Sequence, residues 1–281
     1  MKTFILSLFI SLPLLACPRG YDLDKPVSIP VGAVNAGGIT EEEFQRISRE
    51  LEALYSPDVA ERGGKLVMYP EWKSSTVNAY AQRQDGEWKV ILLGGIARHK
   101  EITADGFALV VCHEIGHHLG GFPRYDGLDI GWASNEGQSD YFSTLKCLRR
   151  YWKDQDNFSV IFGQEIPQKL LDECNRTWSW EGDAALCLRS GMAGLSAGNL
   201  FAALAWRNRT RPKFETPDQN EVKVTYGAHP KAQCRLDTYF QGAICEVTDT
   251  SEMETETKAS CHETLGHKKG VRPRCWFKPT L

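Results

Sequence analysis

Charge of one sign is what this sequence most plainly lacks. Its 33 Lys and Arg residues stand against 36 Asp and Glu, a formal net charge of -3, and no basic run breaks the balance. An electrostatic footprint for nucleic acid is therefore missing, and no nucleic-acid partner is expected. Long hydrophobic runs are missing too. The apolar stretch 4–15 is too short to cross a bilayer as a helix, and the uncharged stretch 190–206 is interrupted by three glycines and Asn199. The second reads as a buried core helix.

What the N-terminus does carry is a short export signal. Lys2 supplies a positive start, residues 4–15 the apolar region and Ala16 a small residue before Cys17. Residues 1–17 thus read as a signal peptide, which puts the protein outside the cytoplasm. The string Leu14-Leu15-Ala16-Cys17 resembles the bacterial lipobox, so Cys17 is the expected lipidation site and the bacterial periplasm, with a membrane anchor, the expected location. Simple cleavage near Ala16 is the alternative. Nine cysteines suit an exported chain. Eight remain if Cys17 carries lipid, and they allow about 105 connectivities. Pairing of neighbours is the expectation: Cys112 with Cys147, Cys174 with Cys187, Cys234 with Cys245, Cys261 with Cys275.

Residues 18–38, rich in Pro and Gly, read as a tether, residues 39–245 as the folded domain, and residues 246–281 as a Cys-containing tail that begins with an exposed acidic loop. Thr40 and Glu43 form a capping box ahead of Phe44, Ile47, Leu51 and Leu54, a helical pattern expected to stop at Ser56-Pro57. Residues 65–69, 76–82 and 88–93 alternate like strands, and Gln84-Asp85-Gly86 is a turn signal. Helices follow at 103–119, from Ser134 or Asn135 to 152, across 165–206 with a break near 175–182, and through Arg235 and Tyr239. The fold class is α+β, mainly helical, with a small antiparallel sheet beside the 103–119 helix.

That helix carries Cys112-His113-Glu114-Ile115-Gly116-His117-His118. His113 and His117 stand one turn apart on one face, so both imidazoles can reach a single metal ion, with Glu114 alongside as general base. Two imidazoles and one carboxylate, with a fourth position for water, make a catalytic zinc site, so Zn2+ is the expected cofactor. The third ligand must come from downstream, and Glu136 at the start of the next helix is the best placed. Asp140, one turn further, can accept the spare N–H of His113 and fix its tautomer. His118 is rotated away from the metal face, and His262 and His267 are five residues apart, which puts them on different faces. His99 reads as an ordinary loop or helix-start residue.

With these residues in place the chain resembles the gluzincin metallopeptidases, whose third ligand is a glutamate on the helix after the HExxH helix. The string Asn135-Glu136-Gly137-Gln138-Ser139-Asp140 resembles that of thermolysin-type enzymes. The closer likeness is to the CAAX-endopeptidase clan and its soluble periplasmic relatives: residues 77–81 resemble the strand beside the cleft, 88–95 the strand leading to the zinc helix, and His229-Pro230 with Arg235 the late HPxxxxR motif. The resemblance implies a zincin-like domain with His229 and Arg235 facing the metal from the far side. Arg235 would hold a carboxylate or the oxyanion, and His229 would stabilise that anion or close the site on zinc. Tyr226 is a further oxyanion candidate. The implied activity is zinc endopeptidase cleavage of envelope proteins, with the substrate peptide added as a strand beside Asn78, Ala79 and Tyr80. The rival is a binding or chaperone-like lipoprotein whose zinc is closed off by His229. The clan's several membrane spans are absent here, and the cysteine set is unlike it.

Overall fold

The computed structural model describes residues 27–280 except 35, 128, 206–208 and 249, together with the backbone of Leu14–Leu15. Most of the signal peptide, Cys17 and the first part of the tether lie outside the described residues.

The fold is α+β and mainly helical. Helix α1 (Glu41–Glu61) starts on the capping box, with the Thr40 side chain accepting from the Glu43 N–H and the Glu43 side chain from the Thr40 N–H. Its buried stripe, Phe44, Ile47, Leu51 and Val59, packs into the main core. The helix does not stop at Ser56-Pro57. Pro57 removes the N–H that would bond Ala53, but both residues are exposed, so the orphaned carbonyl stays open to solvent and the last turn continues.

Strands β2 (Lys65–Glu71), β3 (Ala79–Gln84) and β4 (Glu87–Leu93) form a small mixed sheet, with the two-residue β1 (Leu14–Leu15) antiparallel to the outer edge of β3 at Gln82 and Arg83. β3 and β4 are the expected hairpin, turned at Asp85 and Gly86 with φ of 53° and 80°. β2, however, runs parallel to β4. Residues 72–78 carry the chain over the end of β4 to its far side, so β4 lies between its predecessors. The crossing needs bare backbone at Gly94 and Gly95 in α2 (Gly94–Ala97). A Cβ on Gly94 would sit 2.1 Å from the Trp72 carbonyl, and one on Gly95 2.2 Å from the Ser75 carbonyl.

Helix α3 (Ala104–Leu119) is capped by Thr103 and buried along nearly its whole length. α4 (Glu136–Phe142), a π-helical turn Ser143–Cys147 and α5 (Leu148–Trp152) follow as one rod, capped by Asn135, which accepts from the Gln138 N–H. α6 (Asn157–Ile161) and α7 (Gln168–Thr177) lead into α8 (Glu181–Leu204), a buried core helix. Among the described residues no helix is long and apolar enough to cross a membrane. α9 (Ala232–Ile244) packs on α8, with Gly194 admitting the Tyr239 side chain.

Four disulfides close the domain: Cys112–Cys147, Cys174–Cys187, Cys234–Cys275 and Cys245–Cys261. The last two correct the neighbour pairing. An intervening helix of about 11 residues holds Cys234 and Cys245 roughly 16 Å apart, far beyond disulfide reach. The tail instead runs back along α9, stapled at each end. It is no appendage: Trp276 is fully buried against Gly137 and donates to Thr238 Oγ1 at 3.0 Å. The acidic loop is likewise pinned, with Met253 buried and its carbonyl accepting from the Phe122 N–H. Residues 27–29 lie against the domain through Ser75 and Val77.

Candidate metal centre

α3 and α4 meet where Gly116 allows close approach; its Cβ would lie 3.0 Å from the Ser139 backbone. That contact brings His113, His117 and Glu136 together, all buried, with one ligand atom from each within 4.8 Å of the others. Glu136 Oε2 lies 3.2 Å from His113 Nε2, and Oε1 3.7 Å from His117 Nε2. Donors around a tetrahedral metal ion at about 2.0–2.1 Å are themselves about 3.3 Å apart, so the carboxylate-to-imidazole spacings and the donor set are compatible with a bound metal ion.

The outer nitrogens of the histidines are fixed by partners. His117 Nδ1 is 2.8 Å from the Ser134 carbonyl, which can only accept, so Nδ1 carries the proton and Nε2 is bare. His113 Nδ1 is 2.8 Å from Asp140 Oδ1. Arg235 forks onto the same carboxylate, Nε to Oδ2 at 2.8 Å and Nη2 to Oδ1 at 2.6 Å, and the Tyr239 hydroxyl donates to Oδ1 at 2.7 Å. The carboxylate that Arg235 holds is thus Asp140's. Its guanidinium also lies 3.8 Å from the Phe201 ring centroid.

The electrostatics follow from burial and from neighbouring charges. Burial disfavours a charged His113, but Asp140 and Glu136 outweigh it and push its pKa up to about 10. Burial brings His117 down to about 4 and lifts Glu114 to about 7. Burial also works against the Glu136 anion, yet His229, His117 and His113 hold it well below the usual carboxylate range. Glu114 Oε2 is buried and accepts no hydrogen bond from any described residue, so an acceptor is left pointing into the site.

His229 Nε2 lies 3.4 Å from Glu136 Oε2, on the same oxygen that faces His113. Asn78 and Ala79 line a small cavity with His113, Glu114, His229 and Arg235; Tyr80, the next residue of β3, is half-buried and outside that lining. Among the described residues no strand pairs with the outer edge of β3 at residues 79–81. Tyr226 is 46% exposed and also outside the cavity lining.

The remaining histidines serve structure. His118 stacks between Trp88 and Trp132 and bonds the Lys89 carbonyl through Nε2. His99 accepts from the Glu101 N–H. His262 bonds Thr264, and His267 bonds the His262 carbonyl. A second cluster, Asp218 with Cys234 and Cys275, offers no thiolate because the two sulfurs are bonded to each other.

Two tyrosines were not read as site residues from the sequence. Tyr239 stands one turn after Arg235, so an i, i+4 search of that helix would have found it. Tyr125 donates to Glu136 Oε1 at 2.9 Å from a glycine-rich loop without periodicity, where no local signal marks it.

No protein-family model, curated protein or solved structure matches the chain.

Proposed function

We propose that the protein is an exported zinc endopeptidase acting on envelope proteins, held to the membrane by a lipid on Cys17. The observation that carries this reading is the buried set His113, His117 and Glu136 with the Glu114 carboxyl beside it. The four disulfides are consistent with export.

Zinc, when bound, would polarise the scissile carbonyl and bring the pKa of a coordinated water to about 7. Glu114 takes a proton as water adds to the carbonyl carbon, then returns it to the amine as the C–N bond breaks. Asp140, held by Arg235 and Tyr239, keeps Nε2 of His113 turned inward. His229, across the cavity, donates to the developing oxyanion. Asn78 and the outer edge of β3 at Ala79 and Tyr80 receive the substrate as an added strand.

The test is Glu114→Gln. Purified variant and wild type should contain equal zinc, while hydrolysis of a peptide library disappears in the variant; full activity in the variant would refute the mechanism. Comparing envelope proteins in cells carrying each form would then name the target.

The approach of His229 to Glu136 Oε2 favours a second reading, in which His229 closes the site and the protein binds partners without cleaving them. His229→Ala separates the two. Loss of hydrolysis fits an oxyanion donor, whereas gain of hydrolysis fits closure.

A further inference from the structure

The phenol of Tyr125 reaches the Glu136 oxygen that also lies 3.7 Å from His117 Nε2. It donates to Oε1 at 2.9 Å, while Oε2 faces His113 Nε2 at 3.2 Å and His229 Nε2 at 3.4 Å. The two oxygens of one buried carboxylate therefore have different company. The Tyr125 ring also lies nearly parallel to that of His117, 22° apart with centroids 6.4 Å distant. On its other flank the ring lies beside Gly227, where a Cβ would sit at an ordinary contact distance of 3.6 Å.

The loop that carries Tyr125 is anchored at that residue and just before it. The Tyr125 N–H donates to the Ala133 carbonyl at 2.9 Å, and Phe122 N–H to the Met253 carbonyl at 2.7 Å. Arg124 pairs with Glu252 at 3.1 Å, and Glu252 in turn holds Arg62 of α1 at 3.2 Å. A hydroxyl on so constrained a loop has little freedom to leave the carboxylate.

We propose that Tyr125 is a positioning residue for the metal: by occupying Oε1 it fixes Glu136 as a one-oxygen ligand through Oε2. The inference rests on the metal-site reading above. Partners behind a ligating carboxylate typically set affinity by about ten- to a hundredfold, which makes the effect measurable without any assay of hydrolysis.

The experiment is Tyr125→Phe, which keeps the ring and its packing and removes only the hydroxyl. Zinc affinity is measured by competition with a chromogenic chelator, and cobalt uptake by visible absorption. The expected result is zinc bound about ten- to a hundredfold more weakly, with the metal-free variant still folded and melting in one cooperative transition, lowered only by the single hydrogen bond removed. The cobalt spectrum should move toward a higher coordination number, because the released Oε1 can join Oε2. Equal affinity and an unchanged spectrum would overturn the role of Tyr125 while leaving the metal site standing. A wild-type protein that takes up neither ion would overturn both.

Discussion

Asp140 Oδ1 lies 2.8 Å from His113 Nδ1, so the histidine that begins the candidate site is oriented by a residue one turn beyond its third ligand. The same carboxylate is gripped by Arg235, and both side chains are buried. Asp140→Asn preserves the shape but removes the charge, leaving the guanidinium buried without its counter-ion. Breaking a buried pair in this way costs about 3–5 kcal/mol. Urea denaturation of the metal-free variant should show that loss, and chelator competition a weaker hold on zinc. A variant as stable as wild type would mean that the Phe201 and Tyr239 rings around Arg235 already compensate its charge.

Metal removal should be felt by the whole fold, because the ligands sit on two helices of one core. A ligand at a hundred times its Kd stabilises the folded state by about 2.7 kcal/mol. Calorimetry before and after treatment with phenanthroline should show a lower melting temperature, restored by zinc and not by magnesium, since imidazoles favour the former. A melting temperature indifferent to both would count against a resident ion.

The Cys112–Cys147 disulfide joins the residue before His113 to the end of the π-helical turn, across a sequence separation of 35. Loop closure of that length is worth about 3–4 kcal/mol. The paired substitution Cys112→Ser and Cys147→Ser should lower the urea midpoint accordingly. Zinc affinity should fall less, because the close contact at Gly116 and the Gln138 bond to the Gly120 carbonyl still hold α3 against α4.

How much of this was legible follows from where each signal lies. The helices with caps and apolar spacing, the ligand helix above all, could be read because their causes are local. The parallel pairing of β2 and β4 could not, since it depends on a crossover over Gly94 and Gly95 that only three dimensions reveal. The Cys234 pairing was readable in principle: a helix through Arg235 and Tyr239 already separates Cys234 from Cys245. His113, His117, Glu136 and Asp140 were visible through helical period, whereas Tyr125 reaches the site by loop geometry alone.

Acid should also act on a group away from the candidate metal site. Asp237 on α9 is buried, and burial lifts its pKa to about 6 even though it accepts from the Asp218 N–H at 2.7 Å and from Gln233 Nε2 at 2.8 Å. The folded chain therefore holds this proton more tightly than the unfolded chain, whose carboxyl titrates near 3.8. Between about pH 4 and 6 the folded state binds the extra proton, so stability from this group is full below that window and falls as pH rises through it. A shift of roughly two units corresponds to about 2–3 kcal/mol. Asp237→Asn cannot titrate, so its stability relative to wild type should improve by about that amount between pH 4 and pH 7, read as the change in urea midpoint. A difference between the two proteins that stays constant across the window would show that the two hydrogen bonds, not burial, govern this carboxylate.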